Sequence, residues 1–270
     1  MPELPEVETC KRGLEHHLPG LCVTNVIVRQ SKLRYPVTTQ LRKQLLGSRF
    51  KTITRRAKYL LLHTDKGDVI VHLGMSGSIH LLTQYQENRA HDHIDLNLEN
   101  GNVLRYTDPR RFGAWLWCNN AVEHPLFLRL GPEPLSTEFN ADYLWSQLQK
   151  RRVAIKIAIM NSHIVVGVGN IYASEALFAA AISPLRPAHS LSQQDCATLV
   201  KTIQQVLERA IKAGGTTLKD FVNSQGKPGY FQQQLNVYGR KEEPCVQCKA
   251  PIGSIQLGGR STFYCPECQK

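Results

Sequence analysis

An α+β protein of two domains is predicted: an antiparallel N-terminal half led by one helix, and a helical C-terminal half closed by a small β-hairpin. Three observations carry this. Short β-type runs recur from Thr24 to about Cys118. The period turns helical beyond the proline-bearing stretch "LGPEPLS" at 130–136. Four cysteines crowd into residues 245–270, around a glycine pair.

The chain opens "MPELPEVET", which reads as the entry of a helix over roughly residues 3–18. Proline suits an early helical position, and Glu3, Glu6 and Glu8 sit near the positive end of the macrodipole. A secretory signal would need a basic start and an apolar run of roughly 7–15 residues, and this start has neither. An initiator Met ahead of Pro is normally trimmed, so the mature chain is expected to begin with the free nitrogen of Pro2. The β-type runs follow: "VTNVIVRQ", "FKTITRRAKYLLLH", "DVIVHLGMSGSIHLL", "HIDLNL" and "VLRYTD". Asn100-Gly101 joins the last two and signals a two-residue hairpin. An antiparallel sandwich or a flattened barrel would satisfy this pattern.

Beyond the linker, Ser192 and Asp195 form a capping box ahead of apolar residues at 196, 199, 200, 203, 206, 207, 210 and 211. Gly214-Gly215 ends that helix. The aperiodic "VNSQGKPGYFQQQ" (222–234) reads as a mobile loop, and a compact module begins at about 238. The expected domains are 1–132, 133–237 and 238–270.

Composition narrows the function. With 33 Lys+Arg against 22 Asp+Glu, the 270-residue chain carries +11. Such a surface suits a polyanion, and nucleic acid comes before membrane because no basic amphipathic anchor is visible. No stretch reaches the roughly 18 unbroken apolar residues of a membrane span. Cys10, Cys22, Cys118 and Cys196 are scattered singly and read as reduced thiols of a cytosolic protein.

The other four need a separate account. Cys245-x2-Cys248 and Cys265-x2-Cys268 have the spacing of a zinc site with four thiolate ligands. Four thiolates close the tetrahedron and leave no position for water, so the zinc would be structural. A pair of disulfides is the alternative. Between the pairs, "GSIQLGGRSTFYC" reads as two strands around Gly258-Gly259 with Arg260 near the tip.

"PELPEVET", "RRAKYLLL" (55–62), "HLGMSG" (72–77), "TDPRRFG" (107–113), "VGVGNIYASE" (166–175), "GKPGYF" (226–231) and the cysteine hairpin occur in that order. In this order the chain resembles the bacterial formamidopyrimidine-DNA glycosylases over essentially its whole length. The resemblance implies an N-terminal β-sandwich domain, a helix–two-turns–helix domain, a zinc finger, and DNA in the cleft between. It implies a monomeric, cytoplasmic bacterial enzyme associated with the nucleoid through DNA. Such an enzyme excises oxidised purines from duplex DNA and nicks the strand at abasic sites by β,δ-elimination.

It also implies residue roles. Pro2 is the nucleophile; its secondary amine gives a cationic iminium with the sugar C1′, an electron sink for elimination. Glu3 is a proton donor in sugar-ring opening, and Lys58 assists base loss and β-elimination. Arg260 contacts the lesion-site phosphate and is assigned proton donation in δ-elimination; an arginine stays protonated, so phosphate clamping suits it better. Met75, Arg110 and Phe112 fill the void left by the everted base, and Arg111, His91 and Arg151 contact the DNA backbone. Asn170, read as the N-cap of "IYASEALFAA", binds phosphate with that helix start. Segment 216–231 closes over the everted purine. From the residues alone Met75 and Phe112 would read as core residues, the more common fate of such side chains, although Gly74, Gly77 and Gly113 around them suggest loops. Two other readings stay open: an endonuclease VIII-like glycosylase for oxidised pyrimidines, and a zinc-dependent DNA-binding protein without catalysis.

Overall fold

The structure, a computed structural model, describes residues 2–84, 86–216 and 234–270. The loop read at 222–234 and the segment 216–231 therefore lie, but for Gln234 and Thr216, outside the described residues. The chain divides into two compact units, Met1–Leu128 with Ile211–Gln232 and Arg129–Ala210 with Gln233–Lys270. Among the described residues no helix is long and apolar enough to cross a membrane.

In the first unit the leading helix, α1, spans Leu4–Leu14. Glu3 is its N-cap, and the Glu6 carboxylate accepts the Glu3 N–H at 2.8 Å. The helix stops short of the expected 18. Ahead of Pro19 the chain turns instead, and the N–H groups of His17 and Leu18 both reach the Leu14 carbonyl. Proline disfavours helical backbone in the residue before it.

Eight strands and one helix follow: β1 (Val23–Val28), α2 (Thr39–Leu45), β2 (Phe50–Arg56), β3 (Tyr59–Thr64), β4 (Asp68–His72), β5 (Ser78–Leu82), β6 (Asp92–Leu98), β7 (Val103–Thr107) and β8 (Ala114–Cys118). They build two separate antiparallel sheets, ordered β1-β6-β7-β5 and β2-β3-β4-β8. This is a sandwich rather than a barrel. Leu60, Leu62, Val69 and Val71 from one sheet share a buried core with Ile79, Ile94, Leu96, Leu104 and Tyr106 from the other. Each such aliphatic side chain stabilises the fold by about 1.5–3 kcal/mol.

The run "FKTITRRAKYLLLH" is a hairpin, with Arg56 paired to Tyr59 and Ala57-Lys58 as its loop. The run "DVIVHLGMSGSIHLL" is also two strands, and they belong to different sheets. The β6–β7 hairpin has a three-residue loop instead of the expected two. The Leu98 N–H bonds the Asn102 carbonyl, and Gly101 takes φ +84°. The Asn100 side chain accepts the Asn102 N–H, which fixes this longer turn.

In the second unit α3 (Ala141–Leu148), α4 (Ile155–Ile159) and α5 (Asn170–Ala179) precede the long helix α6 (Gln193–Lys212). The Ser192/Asp195 capping box is present: Asp195 N–H donates to Ser192 Oγ at 3.1 Å, and Ser192 N–H to Asp195 Oδ2 at 3.0 Å. Every apolar position expected on the inner face of α6 is buried. The hairpin β9 (Gly253–Leu257) and β10 (Arg260–Tyr264) packs on α5. Phe178 of α5 joins Val237, Cys245, Ile252 and Cys265 in a small core of their own.

Candidate active site and metal centre

Pro2 and Glu3 are buried at the start of α1. The capping bond from Glu6 fixes the backbone between them and the helix. The second Glu6 oxygen accepts the Thr216 N–H at 2.8 Å, so one buried carboxylate holds two chain segments. Lys58 stands in the β2–β3 loop, half-buried. Arg55 connects this loop to α1, donating Nε to Glu8 Oε2 at 2.9 Å and Nη1 to the Ala57 carbonyl at 3.0 Å. Burial raises the Glu8 pKa, but the hydrogen bonds from Arg55 and Arg12 outweigh it and hold the carboxyl below its usual value. Arg55 thus ties the helix that follows Pro2 and Glu3 to the hairpin whose loop carries Lys58.

Two chain crossings between the sheets lie side by side. Residues 73–77 link β4 to β5 and residues 108–113 link β7 to β8. They are neighbours because β4 pairs with β8 and β5 with β7. Met75 (36% exposed) and Phe112 (48% exposed) project from these crossings, so neither belongs to the core. The Arg110 guanidinium lies 5.2 Å from the Phe112 ring centroid, a cation–π pair. Arg110 and Arg111 are exposed, and Arg111 adopts φ +58°. His91 is exposed just before β6. Its carbonyl accepts the Asp108 N–H, which brings the His91 segment to the same place. His72 is half-buried beside them, and its Nδ1 accepts the Gly74 N–H at 2.9 Å. Burial, reinforced by the charges of Arg34 and Lys58, pulls its pKa down to about 4.

In the second unit Asn170 is not the N-cap expected of it. Gly169 is the N-cap of α5, and Asn170 is the first helical residue. Its carboxamide is engaged elsewhere: Oδ1 accepts Lys156 Nζ at 2.6 Å and Nδ2 donates to the Ser261 carbonyl at 2.9 Å. Lys156, 1% exposed, also donates to Thr262 Oγ1 at 2.7 Å. One buried ammonium thereby joins α4, the start of α5 and strand β10. Sequence reading passed over it; the signal was a lysine inside the apolar "VAIKIAI". Glu175 was missed in the same way inside "YASEALFAA". Its buried carboxylate accepts the N–H groups of Asn236, Val237 and Tyr238 at 2.9–3.0 Å, leading the chain into the finger. Arg151 Nε donates to the Gln147 carbonyl at 3.0 Å, closing the end of α3. Arg260 is exposed at the hairpin tip, after Gly258 (φ +57°) and Gly259 (φ +73°).

The Sγ atoms of Cys245, Cys248, Cys265 and Cys268 all lie within 4.8 Å of one another. Two of the separations are 3.9 Å (Cys245–Cys268) and 3.4 Å (Cys248–Cys265). A tetrahedral zinc with Zn–S bonds of about 2.3 Å requires edges of about 3.8 Å, so the cage fits that ion. No cysteine is in a disulfide, which removes the pairing alternative. The N–H groups of Gln247 and Cys268 donate to the sulfurs of Cys245 and Cys265, both at 3.4 Å, and such bonds stabilise thiolate. It is the one candidate metal cluster among the described residues, and "HDH" at 91–93 forms none.

A basic chain with these parts is, by class, a zinc-finger protein that acts on nucleic acid. Family models make the assignment specific. Residues 1–115 match the formamidopyrimidine-DNA glycosylase N-terminal domain, 130–222 the H2TH domain of the same proteins, and 242–270 the zinc finger found in FPG and IleRS. A formamidopyrimidine-DNA glycosylase of Thioalkalivibrio sulfidiphilus is 57% identical, with 100% of each chain covered. A Lactococcus lactis FPG mutant bound to DNA containing Fapy-dG superposes with a TM-score of 0.92 at 34% identity, covering 100% of both chains. The L. lactis protein with abasic-site DNA gives the same values. The chain belongs to the formamidopyrimidine-DNA glycosylase family. The four thiolates accordingly hold one structural zinc.

Proposed function

We propose that this chain excises oxidised purines, 8-oxoguanine and formamidopyrimidines, from duplex DNA and then nicks the abasic strand. The observation that supports the reading is that the helix opening right after Pro2 and Glu3 is bonded, through Glu8 and Arg55, to the β2–β3 hairpin that carries Lys58. Pro2 acts as the first residue of the mature chain. Its neutral nitrogen attacks C1′ of the damaged nucleotide, and the C1′–O4′ bond breaks as O4′ takes a proton from Glu3. The C1′–base bond then breaks, with the proton given up by the attacking amine passing to the departing base and Lys58 assisting that transfer. The product is an iminium between Pro2 and C1′. That cation acidifies the C2′ proton, and its removal, assisted by Lys58, expels the 3′-phosphate. A further elimination expels the 5′-phosphate, and hydrolysis frees Pro2. Arg260 clamps the lesion-site phosphate, and Arg151, Arg111, His91 and the α5 start hold the flanking backbone. Met75, Arg110 and Phe112 occupy the space left by the everted base, whose extrusion costs a few kcal/mol. The zinc takes no chemical part: it holds the hairpin that carries Arg260. Residues 1–132 serve the chemistry, 133–237 and the finger at 238–270 the grip on DNA.

Borohydride reduction traps the iminium as a stable covalent complex. Trapping on 8-oxoguanine and formamidopyrimidine duplexes, with little on thymine glycol, is expected. Preferential trapping on thymine glycol would replace the purine reading with the pyrimidine one. No trapping on any lesion would reduce the protein to a DNA binder.

A further inference from the structure

Met75 and Phe112 are partly exposed and lie outside the buried core cluster of the sandwich. A wedge of this kind has to be rigid before DNA arrives, so its backbone needs another anchor. The carboxylate of Asp108, 0% exposed, lies where the two inter-sheet crossings meet. Its Oδ1 accepts the Ser76 hydroxyl at 2.9 Å. Its Oδ2 accepts both the Tyr106 hydroxyl and the Gly113 N–H at 2.9 Å. Ser76 Oγ in turn accepts the Arg110 N–H at 3.2 Å. The Asp108 main chain extends the reach: its carbonyl accepts from Arg111 N–H at 3.2 Å and from His93 Nε2–H at 2.8 Å, and its N–H donates to His91.

One side chain is thus bonded directly to the neighbours of Met75 and Phe112 and, through Ser76, to Arg110. Burying a carboxylate is expensive unless its lone pairs are filled, and here three donors converge on it. Burial, and then the adjacent carboxylate, keep Tyr106 protonated and therefore a donor. The crossings also touch through their glycines. A Cβ at Gly74 would meet Gly113 N at 2.5 Å, and one at Gly113 would meet the His72 carbonyl at 2.7 Å.

We propose that Asp108 is the positioning residue that locks the Met75 crossing and the Arg110–Phe112 crossing into one wedge, making eversion of the damaged base depend on a carboxylate that never meets DNA. This rests on the wedge assignment above. None of the Asp108 bonds named above reaches Pro2, Glu3 or Lys58, so its loss should act on base eversion.

The test compares single-turnover excision of 8-oxoguanine from duplex with nicking at a ready-made abasic site, which has no base to unstack. Asp108→Asn and Ser76→Ala are the probes, because Asp108→Ala risks unfolding; thermal melting confirms the fold of each, and Ser76→Ala decides if Asp108→Asn does not fold. Met75→Ala and Phe112→Ala are the references. Excision should slow by about tenfold or more in both probes, with a much smaller loss at the abasic site. Combining Ser76→Ala with Phe112→Ala should add little to the Phe112→Ala loss, as expected of groups that act as a unit. Equal losses on both substrates, or full additivity, would make Asp108 a support of the fold alone. If Met75→Ala and Phe112→Ala themselves lose equally on both substrates, the wedge assignment is what fails, and the proposal goes with it.

Discussion

Lys156 Nζ donates to Asn170 Oδ1 across 2.6 Å, with the ammonium almost wholly removed from solvent. The bond decides what Asn170 can do. An asparagine at the start of a helix is drawn toward capping its own turn, yet a buried cation offers a stronger, charge-assisted partner. Asn170 therefore gives up the cap, and Gly169 takes that place. Lys156→Met removes the donor and leaves Asn170 Oδ1 and Thr262 Oγ1 without it. The expected cost is about 2–4 kcal/mol, with weaker DNA binding because the α5 start and the β10 strand lose their common anchor. Chemical denaturation and binding to undamaged duplex measure the two effects. A variant with unchanged stability and binding would show that the buried ammonium holds nothing together.

His72 makes stability depend on pH. Its pKa falls from 6.5 in the unfolded chain to about 4 in the folded one, burial first and then the charges of Arg34 and Lys58 being responsible. Between those values the unfolded state takes up a proton that the folded state refuses. The contribution of neutral His72 is therefore complete above pH 6.5 and is lost as pH falls toward 4, by about 3 kcal/mol at most. His72→Gln should flatten the stability curve in that window relative to wild type. Parallel curves for the two proteins would mean that His72 protonates in the folded state without penalty.

The readable parts of the sequence were those set by neighbours along the chain. The cysteine spacing announced the metal cage, the Gly258-Gly259 turn put Arg260 at an exposed tip, and Ser192 with Asp195 marked the start of α6. What failed depended on contacts between distant segments. "DVIVHLGMSGSIHLL" looks like one run because its apolar pattern resumes after Gly77. Only the pairing of β4 with β8 and of β5 with β7 shows that the chain changes sheets there. Asn170 reads as an N-cap for the same reason, since Lys156 and Ser261 are invisible from its own helix. Buried charges such as Lys156, Glu175 and Asp108 leave only a faint trace, a polar letter inside an apolar stretch or beside a turn.

The zinc cage predicts joint loss of metal and grip. Among the described residues the finger's small core draws on Phe178 of α5 and Val237 from outside it, a core too small to organise the module without the metal. The purified protein should hold about one zinc per chain. Cys248→Ser should release it and weaken duplex binding by about tenfold or more, while the β-sandwich unit keeps its near-ultraviolet signature. Metal analysis that finds no zinc in active protein would overturn the assignment.

The last prediction separates the proposed nucleophile, Pro2, from its proposed helper, Lys58. Pro2→Gly exchanges a secondary amine for a primary one, whose adduct with C1′ is cationic only while protonated and is a poorer electron sink. The variant should bind lesion duplex within a few-fold of wild type and lose most base excision. Lys58→Ala leaves the amine intact but removes a proton-transfer group, a loss of about a hundredfold or more in excision. Because Arg55 holds the β2–β3 loop through Glu8 and Ala57, the substitution at Lys58 should leave the hairpin and the melting temperature almost unchanged. Lys58→Ala should still yield a borohydride-trapped adduct, formed slowly, and peptide mapping by mass spectrometry should place it on residue 2. An adduct on Lys58 in the wild-type protein, or undiminished trapping when Met1 still blocks Pro2, would move the nucleophile away from the N-terminus.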